Sequence, residues 1–418
     1  MNKLSIDASE CYGCGLCASV CPVDALSMAM ENNRYLPSFS PEKCTNCKKC
    51  EKICNNEGLR HKPEIYNFHP YLGNFSECFI GYSTNSDIRK KSASGGLISS
   101  LLIYLLNTGK IDGAIVTKLK YNGQTVETIP FIARTEEDIL SASGSFYLPV
   151  NFSEVIKEIQ KLDEEKFAIV ALPCVISNLR KAKENFPFLD KRIKYMFGLF
   201  CSNNFNYSVL DFIKNKAKIT HNENFVAINF RSEWPEYVLL MRTSKKEYKL
   251  DSKYWNFLFT LKMYLLSDRC LTCNDCLAEY ADISFGDAWI RSIKKTDKIG
   301  TSICISRTKE CDELLSSANI NGFISLVSID PTKVADSQKY ALYFKKIQGQ
   351  WLRERANIYG KNTRFNSQLL LTVPMTLLLN KLSNKYPMIM AGIPHIIYRI
   401  LFFIVSIGAI TGYKYVRK

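Results

Sequence analysis

Eight of the sixteen cysteines lie within the first 54 residues, in two copies of one pattern. The first copy is Cys11, Cys14, Cys17 and Cys21, followed by Pro22; the second is Cys44, Cys47, Cys50 and Cys54. Each reads C-x2-C-x2-C-x3-C. Three thiols at every third residue wrap a short loop around one face of an inorganic cubane, and the fourth reaches across to the other copy's centre. The spacing therefore predicts two 4Fe–4S clusters with exchanged fourth ligands. Cys11, Cys14, Cys17 and Cys54 would hold one, and Cys44, Cys47, Cys50 and Cys21 the other. Structural zinc uses separated pairs of ligands closing one tetrahedron, which two full quartets fit poorly. Asn55 rather than proline follows the second copy, at a position that shapes a turn and supplies no ligand.

This spacing is that of a bacterial two-cluster ferredoxin. Residues 1–60 are expected to form a ferredoxin-like domain, with a hairpin whose flanks, Ala25 to Met30 and Arg34 to Leu36, meet at Asn32-Asn33. A connector rich in Pro, His and Asn follows from His61 to Asn74. From about residue 75 to 310, strand-like and helix-like segments alternate. Phe79 to Tyr82, Gly113 to Lys118, Phe167 to Leu172 and Tyr195 to Phe200 read as strands. Leu97, Ile98, Leu101, Leu102, Leu105 and Leu106 recur at helical spacing after Ser94-Gly95-Gly96. Such alternation predicts a mixed α/β or α+β layer fold. Residues 311–418 read as a helical, basic tail.

Charge sharpens the reading of that tail. The chain carries 55 basic and 40 acidic residues, a net charge of +15, yet residues 355–418 contain no Asp or Glu and nine Lys or Arg. Basic residues between apolar runs suit an anionic membrane surface better than nucleic acid. Leu401 to Tyr413 is apolar but, at thirteen residues, short of the roughly 20 that span a bilayer. Extension back to Pro387 would bury Arg399 and include Pro394, so an interfacial helix is expected over a span or a docked soluble helix. Residues 1–10 lack the apolar core of a leader peptide. With so many thiols, the expected location is cytoplasmic, with peripheral attachment to the inner face of the membrane.

A second set of thiols lies deeper in the chain. Cys270, Cys273 and Cys276 repeat at three-residue spacing, and Cys174 and Cys201 stand at the ends of expected strands. A third cluster fits this set, with zinc as its competitor. Cys174, at a helix start, also suits a nucleophile, but none of the four histidines (His61, His69, His221, His395) stands in a partner motif.

Several short motifs then carry a resemblance: SASGGLISSLL at 92–102, GSFY at 144–147, LPCVISNLRK at 172–181, GLFC at 198–201 and CLTCNDCLAEYADISFGD from Cys270 to Asp287. With the double quartet, they make residues 1–310 resemble the β subunit of deazaflavin-coenzyme (coenzyme F-420) hydrogenases and dehydrogenases, a pattern related hydroxymethyl-chlorophyll reductases share. The resemblance implies an iron–sulfur flavoprotein carrying FAD, a hydrogenase or dehydrogenase subunit or a ferredoxin as redox partner, and an organic hydride donor or acceptor. It also implies Cys174, Cys201, Cys270 and Cys273 as third-cluster ligands, with Asp275 as the motif's Asp and Cys276 as a spare thiol. The chain departs from the family at Phe146, where Lys is usual, and at Ala171-Leu172, where Gly-Thr is usual.

Chemistry points the same way. Clusters move single electrons and hydride carriers move pairs, and a flavin converts one into the other. No G-x-G-x-x-G occurs. Ser94, Gly95 and Gly96 offer small residues and free amides at a helix start, either as a phosphate cradle or as an ordinary cap. Gly144, Ser145 and Tyr147 are further pocket candidates. No catalytic side chain is assigned. The alternatives are a non-catalytic ferredoxin-type carrier and a redox or interaction module at the membrane surface.

Overall fold

The computed structural model describes residues 10–54, 66–232, 234, 237–250, 265–349 and 378. The basic stretch 355–418 and the expected interfacial helix thus lie outside the described residues, residue 378 apart. Among the described residues no helix is long and apolar enough to cross a membrane.

The first quartet is carried by a tight loop and the short helix Leu16–Ser19. Strands Leu26–Glu31 and Arg34–Phe39 follow and pair antiparallel, with Leu26 opposite Phe39 and Glu31 opposite Arg34. Asn32 and Asn33 close the hairpin at φ 51° and 61°. Both turn residues need a left-handed backbone there, which asparagine tolerates better than most residues.

An eight-stranded mixed sheet organises the rest. Its order is Ile324–Ser328, Glu77–Ser83, Ser302–Ser306, Ile283–Asp287, Ile193–Leu199, Phe167–Ala171, Gly113–Asn122 and Thr125–Ala133. The four strands from Ile283–Asp287 to Gly113–Asn122 run parallel, and antiparallel strands flank them. Side chains alternate across each strand, so both faces need cover. Helices Leu97–Asn107 and Lys309–Ile320 cover one face, through Leu101, Leu105, Leu314 and Leu315. Helices Ser153–Lys161 and Pro173–Asn185 cover the other, through Ile156, Ile159, Ile176 and Leu179. Leu16, Val20 and Ile53 join this second core, so the ferredoxin unit docks as part of the helical layer. Leu16 and Ile53 are almost fully buried, each worth about 1.5–3 kcal/mol relative to full exposure.

One expectation needs correction. The chain does not turn purely helical at 311: Ile324–Ser328 is an edge strand, antiparallel to Glu77–Ser83. Its single buried anchor is Ile324, while Val327 is exposed, so its pattern is too short and too wet to stand out. The α/β body therefore continues to at least residue 328. A smaller antiparallel sheet, Phe225–Ser232, Val238–Thr243 and Glu247–Leu250, packs on helix Ser208–Ala217 through Phe225, Leu239, Phe212 and Ile213.

Candidate functional site

Parallel strands aim their carboxyl ends at one edge of a sheet, where ligands gather. Here strand Phe167–Ala171 ends at Leu172-Pro173-Cys174, and Pro173 starts helix Pro173–Asn185, where its missing N–H costs nothing. The neighbouring strand Ile193–Leu199 ends just before Cys201, whose amide donates to Cys276 O at 2.8 Å. Cys270 lies in the short helix Asp268–Thr272 and Cys273 caps its end. Asp275 accepts the amides of Leu277 and Glu279, each at 3.0 Å. It shapes the turn that follows Cys273, which gives the motif's Asp a structural task.

These four cysteines come together. Burial pushes the Cys174 thiol well up, and Cys273, Cys201 and Cys270 press on it in the same direction, joined by Cys14 of the first quartet. Cys276, almost fully buried, lines the same cavity, and its carbonyl accepts the Cys201 amide. The structure thus brings Cys174, Cys201, Cys270 and Cys273 beside one another, with Cys276 on the wall of the same cavity.

The N-terminal quartets interleave. Cys54 comes beside Cys14 and Cys11, and burial together with those neighbours pushes its thiol up to about 12. Burial raises Cys11 to about 11. Cys50 has Cys21 as a neighbour. Gly15 is needed in the first loop: its φ is +79°, and a Cβ there would meet Asn151 Oδ1 at 2.0 Å. The same loop is tied down by Phe152 N–H donating to Cys14 O at 2.9 Å and by Asn178 Nδ2, 3.6 Å from Cys14 Sγ. Asn178 lies one helical turn after Cys174, so one helix touches both sets of thiols. Among the described residues, no group of three or more Cys, His, Asp or Glu side chains is drawn tightly enough for a single metal ion. A cubane's four irons occupy separate corners, so its thiolates need not share one centre.

A cavity of about 980 Å³ opens where these elements meet. Cys11, Cys174, Cys201, Cys270 and Cys273 line it, as do Ser94, Gly96, Gly144, Ser145 and Tyr147. Helix Leu97–Asn107 starts at Gly96, φ 79°, with no side chain capping its first amides. Its N-terminal residues Leu97, Ile98 and Ser99 border the cavity. Gly95 plays another part: its amide donates to Ser302 Oγ at 2.9 Å, and a Cβ would lie 2.6 Å from Gly81 O. Gly95 lets the loop cross the sheet edge closely, leaving Gly96 at the mouth.

Sequence reasoning missed one part of the lining. Arg231 pairs with Asp287 at 2.7 Å and lies 3.9 Å over the Tyr237 ring. Tyr237 Oη donates to Asp287 Oδ1 at 3.2 Å, and Trp289 packs edge-on to Tyr237 at 5.2 Å. All four border the cavity. Of these four, only Asp287 fell within a motif of the sequence, at the end of the stretch from Cys270.

Thiol quartets leading to a cofactor-sized cavity at the carboxyl edge of a parallel sheet define an iron–sulfur electron-transfer protein. Family comparisons narrow the class. A 4Fe-4S binding domain profile matches residues 4–27. Profiles for the coenzyme F420 hydrogenase/dehydrogenase beta subunit match residues 78–157 (N-term) and 164–332 (C terminus). Together these two span more than half the chain, and the chain belongs to this family of oxidoreductase subunits. It is 25% identical over 378 residues to the coenzyme F420-dependent sulfite reductase of Methanocaldococcus jannaschii, covering 85% of this chain and 52% of that protein. The chain thus spans about half the length of that relative. It is 29% identical over 268 residues to the coenzyme F420 hydrogenase subunit beta of Methanothermobacter thermautotrophicus, covering 63% of this chain and 88% of the relative. A chain of the F420-reducing [NiFe] hydrogenase complex from Methanosarcina barkeri shares the fold, with TM-score 0.55, 24% identity, and coverage of 72% of this chain and 98% of that one.

Proposed function

We propose that this chain is an iron–sulfur flavoprotein subunit that passes electrons between a protein partner and a hydride-carrying coenzyme of the deazaflavin type. The observation that carries the proposal is the shared cavity: four converging thiols and an uncapped helix start border the same space. Its volume lies at the upper end of the roughly 300–1,000 Å³ of cofactor pockets. The identity of the coenzyme is taken from the relatives, which are named for coenzyme F420.

The residues fit a dinucleotide flavin. The free amides after Gly96 suit a phosphate, favoured further by the helix dipole. Tyr147, half-buried and edge-on to Phe230 at 6.0 Å, gives an aromatic wall near Arg231. Cys174, Cys201, Cys270 and Cys273 suit a third 4Fe–4S cluster. FAD bound in this cavity would exchange hydride with the coenzyme and single electrons with the clusters. The protein's own contribution is positional. The interleaved quartets form a line from an exposed end at Cys47 to a buried end at Cys14, which neighbours Cys174. A plain electron carrier has no use for such a cavity, which weighs against the ferredoxin-type alternative.

Anaerobic purification with iron, sulfide and flavin counted per chain tests this reading. The expected result is about twelve irons and one FAD, with the flavin reduced by reduced coenzyme F420. About eight irons would remove the third cluster. A reconstituted protein that takes up no flavin would return the chain to the carrier reading.

A further inference from the structure

The segment beyond the family match brings a positive charge into the thiol set. Residues Tyr343–Gly349 wind as a π-helix, a rare geometry concentrated at functional sites. Lys345 on this turn is 3% exposed and borders the cavity. Its ammonium donates to Cys270 O at 3.1 Å. Its neighbours include the sulfurs of Cys273, Cys270, Cys201 and Cys174. Among the described residues no carboxylate pairs with it. The next residue provides the contrast: Lys346 pairs with Glu279. Two adjacent lysines thus enter the interior from one turn, one to a carboxylate and one to four thiols. An ammonium buried without a counter-charge is costly, by several kcal/mol, so the position makes sense only if something anionic stands before it.

We infer that Lys345 is a positioning residue that raises the reduction potential of a cluster held by Cys174, Cys201, Cys270 and Cys273. The inference rests on the third cluster proposed above. A cubane on four thiolates is an anion, and one-electron reduction adds a further negative charge. A fixed cation beside it therefore favours the reduced form, and net charge and hydrogen bonding are established determinants of cluster potential. Lys345 lies outside residues 164–332, the stretch matched by the family profile. The device thus lies in the segment that follows that match.

The test is a redox titration, followed by EPR, of anaerobically purified full-length protein in native, K345M and K345R forms, with iron counted in each. K345M is expected to keep about twelve irons. At the potential that half-reduces the native third cluster, its ratio of reduced to oxidised cluster should fall about tenfold, a midpoint lowered by about 59 mV. The two N-terminal clusters should not move, and K345R should restore the native midpoint. If K345M sheds the third cluster while K345R keeps it, Lys345 serves cluster assembly rather than its potential, and the inference is overturned. An unchanged or raised midpoint in K345M overturns it, as does a K345R protein that behaves like K345M. A native chain with about eight irons would sink the inference through its premise, and the iron count separates that failure from the others.

Discussion

Cys11, Cys14 and Cys17 are 8%, 9% and 7% exposed, whereas Cys47, second in the other quartet, faces solvent. The spacing of the two quartets is the same, and the surroundings of Cys11, Cys14 and Cys17 differ from those of Cys47. Burial raises the thiols of Cys11, Cys14 and Cys17, and the Lys49 amide lowers Cys47. The first quartet is gripped by the Phe152 amide and by Asn178. The second is ringed by exposed Lys43, Lys48, Lys49 and Lys52, against Glu42 and Glu51. Spacing decides how many centres a chain can hold. The environment decides which of them meets a partner and which hands electrons inward.

Removing one thiol from each quartet is the strongest way to test that contrast. C14S and C47S should each lose one cluster, seen as iron lost per chain. C14S should also lower the thermal midpoint by more than C47S, because Cys14 belongs to the core shared by the ferredoxin unit and the α/β body. Equal midpoints would mean that burial of the first quartet has no mechanical role.

A moderate effect is expected from charge. In K48E/K52E, reduction by a small acidic electron-carrier protein should slow about tenfold at low ionic strength, and high salt should erase the difference. Reduction by dithionite should be unchanged. An unaffected rate with the protein carrier would place the electron inlet away from the second quartet.

The smallest effect concerns the seam between the two units. Asp24 pairs with Lys157 at 2.7 Å across it. The hydrogen bond and charge of Lys157 hold the Asp24 carboxyl below its ordinary 3.8. A carboxyl lowered by folding stabilises the folded state fully above its unfolded pKa, and that contribution fades as pH falls through the lowered value. Asp24 is 71% exposed, so D24N should cost no more than about 1 kcal/mol at neutral pH. The gap between D24N and native protein in denaturant titrations should close in acid, below about pH 3.8. A gap that persists there would point to shape rather than charge.

Local chemistry explains what was legible in the sequence. Cluster loops must carry their thiols close together in the chain, so both quartets announced themselves. The Asn32-Asn33 turn and strand Phe167–Ala171 with its following helix likewise depend on neighbouring residues. The set at Cys174, Cys201, Cys270 and Cys273 is assembled by parallel strands and a distant turn, and spacing alone favoured Cys276. Lys345 had no signature, since nothing in the sequence distinguishes a buried lysine from the many exposed ones. The Arg231, Tyr237, Asp287 and Trp289 group joins two sheets, and its members are separated by up to 58 residues. Strand Ile324–Ser328 was hidden by its shortness and wet outer face.

The ferredoxin unit is fastened to the body by main-chain bonds, Phe152 N–H to Cys14 O and Tyr207 N–H to Asn33 O, at 2.9 and 2.8 Å. No swinging arm separates the thiols of Cys14 from those of Cys174. The gap an electron must tunnel through is set when the chain folds, so internal transfer should proceed at the same pace in thin or syrupy solvent, with only the outer encounter slowed by viscosity.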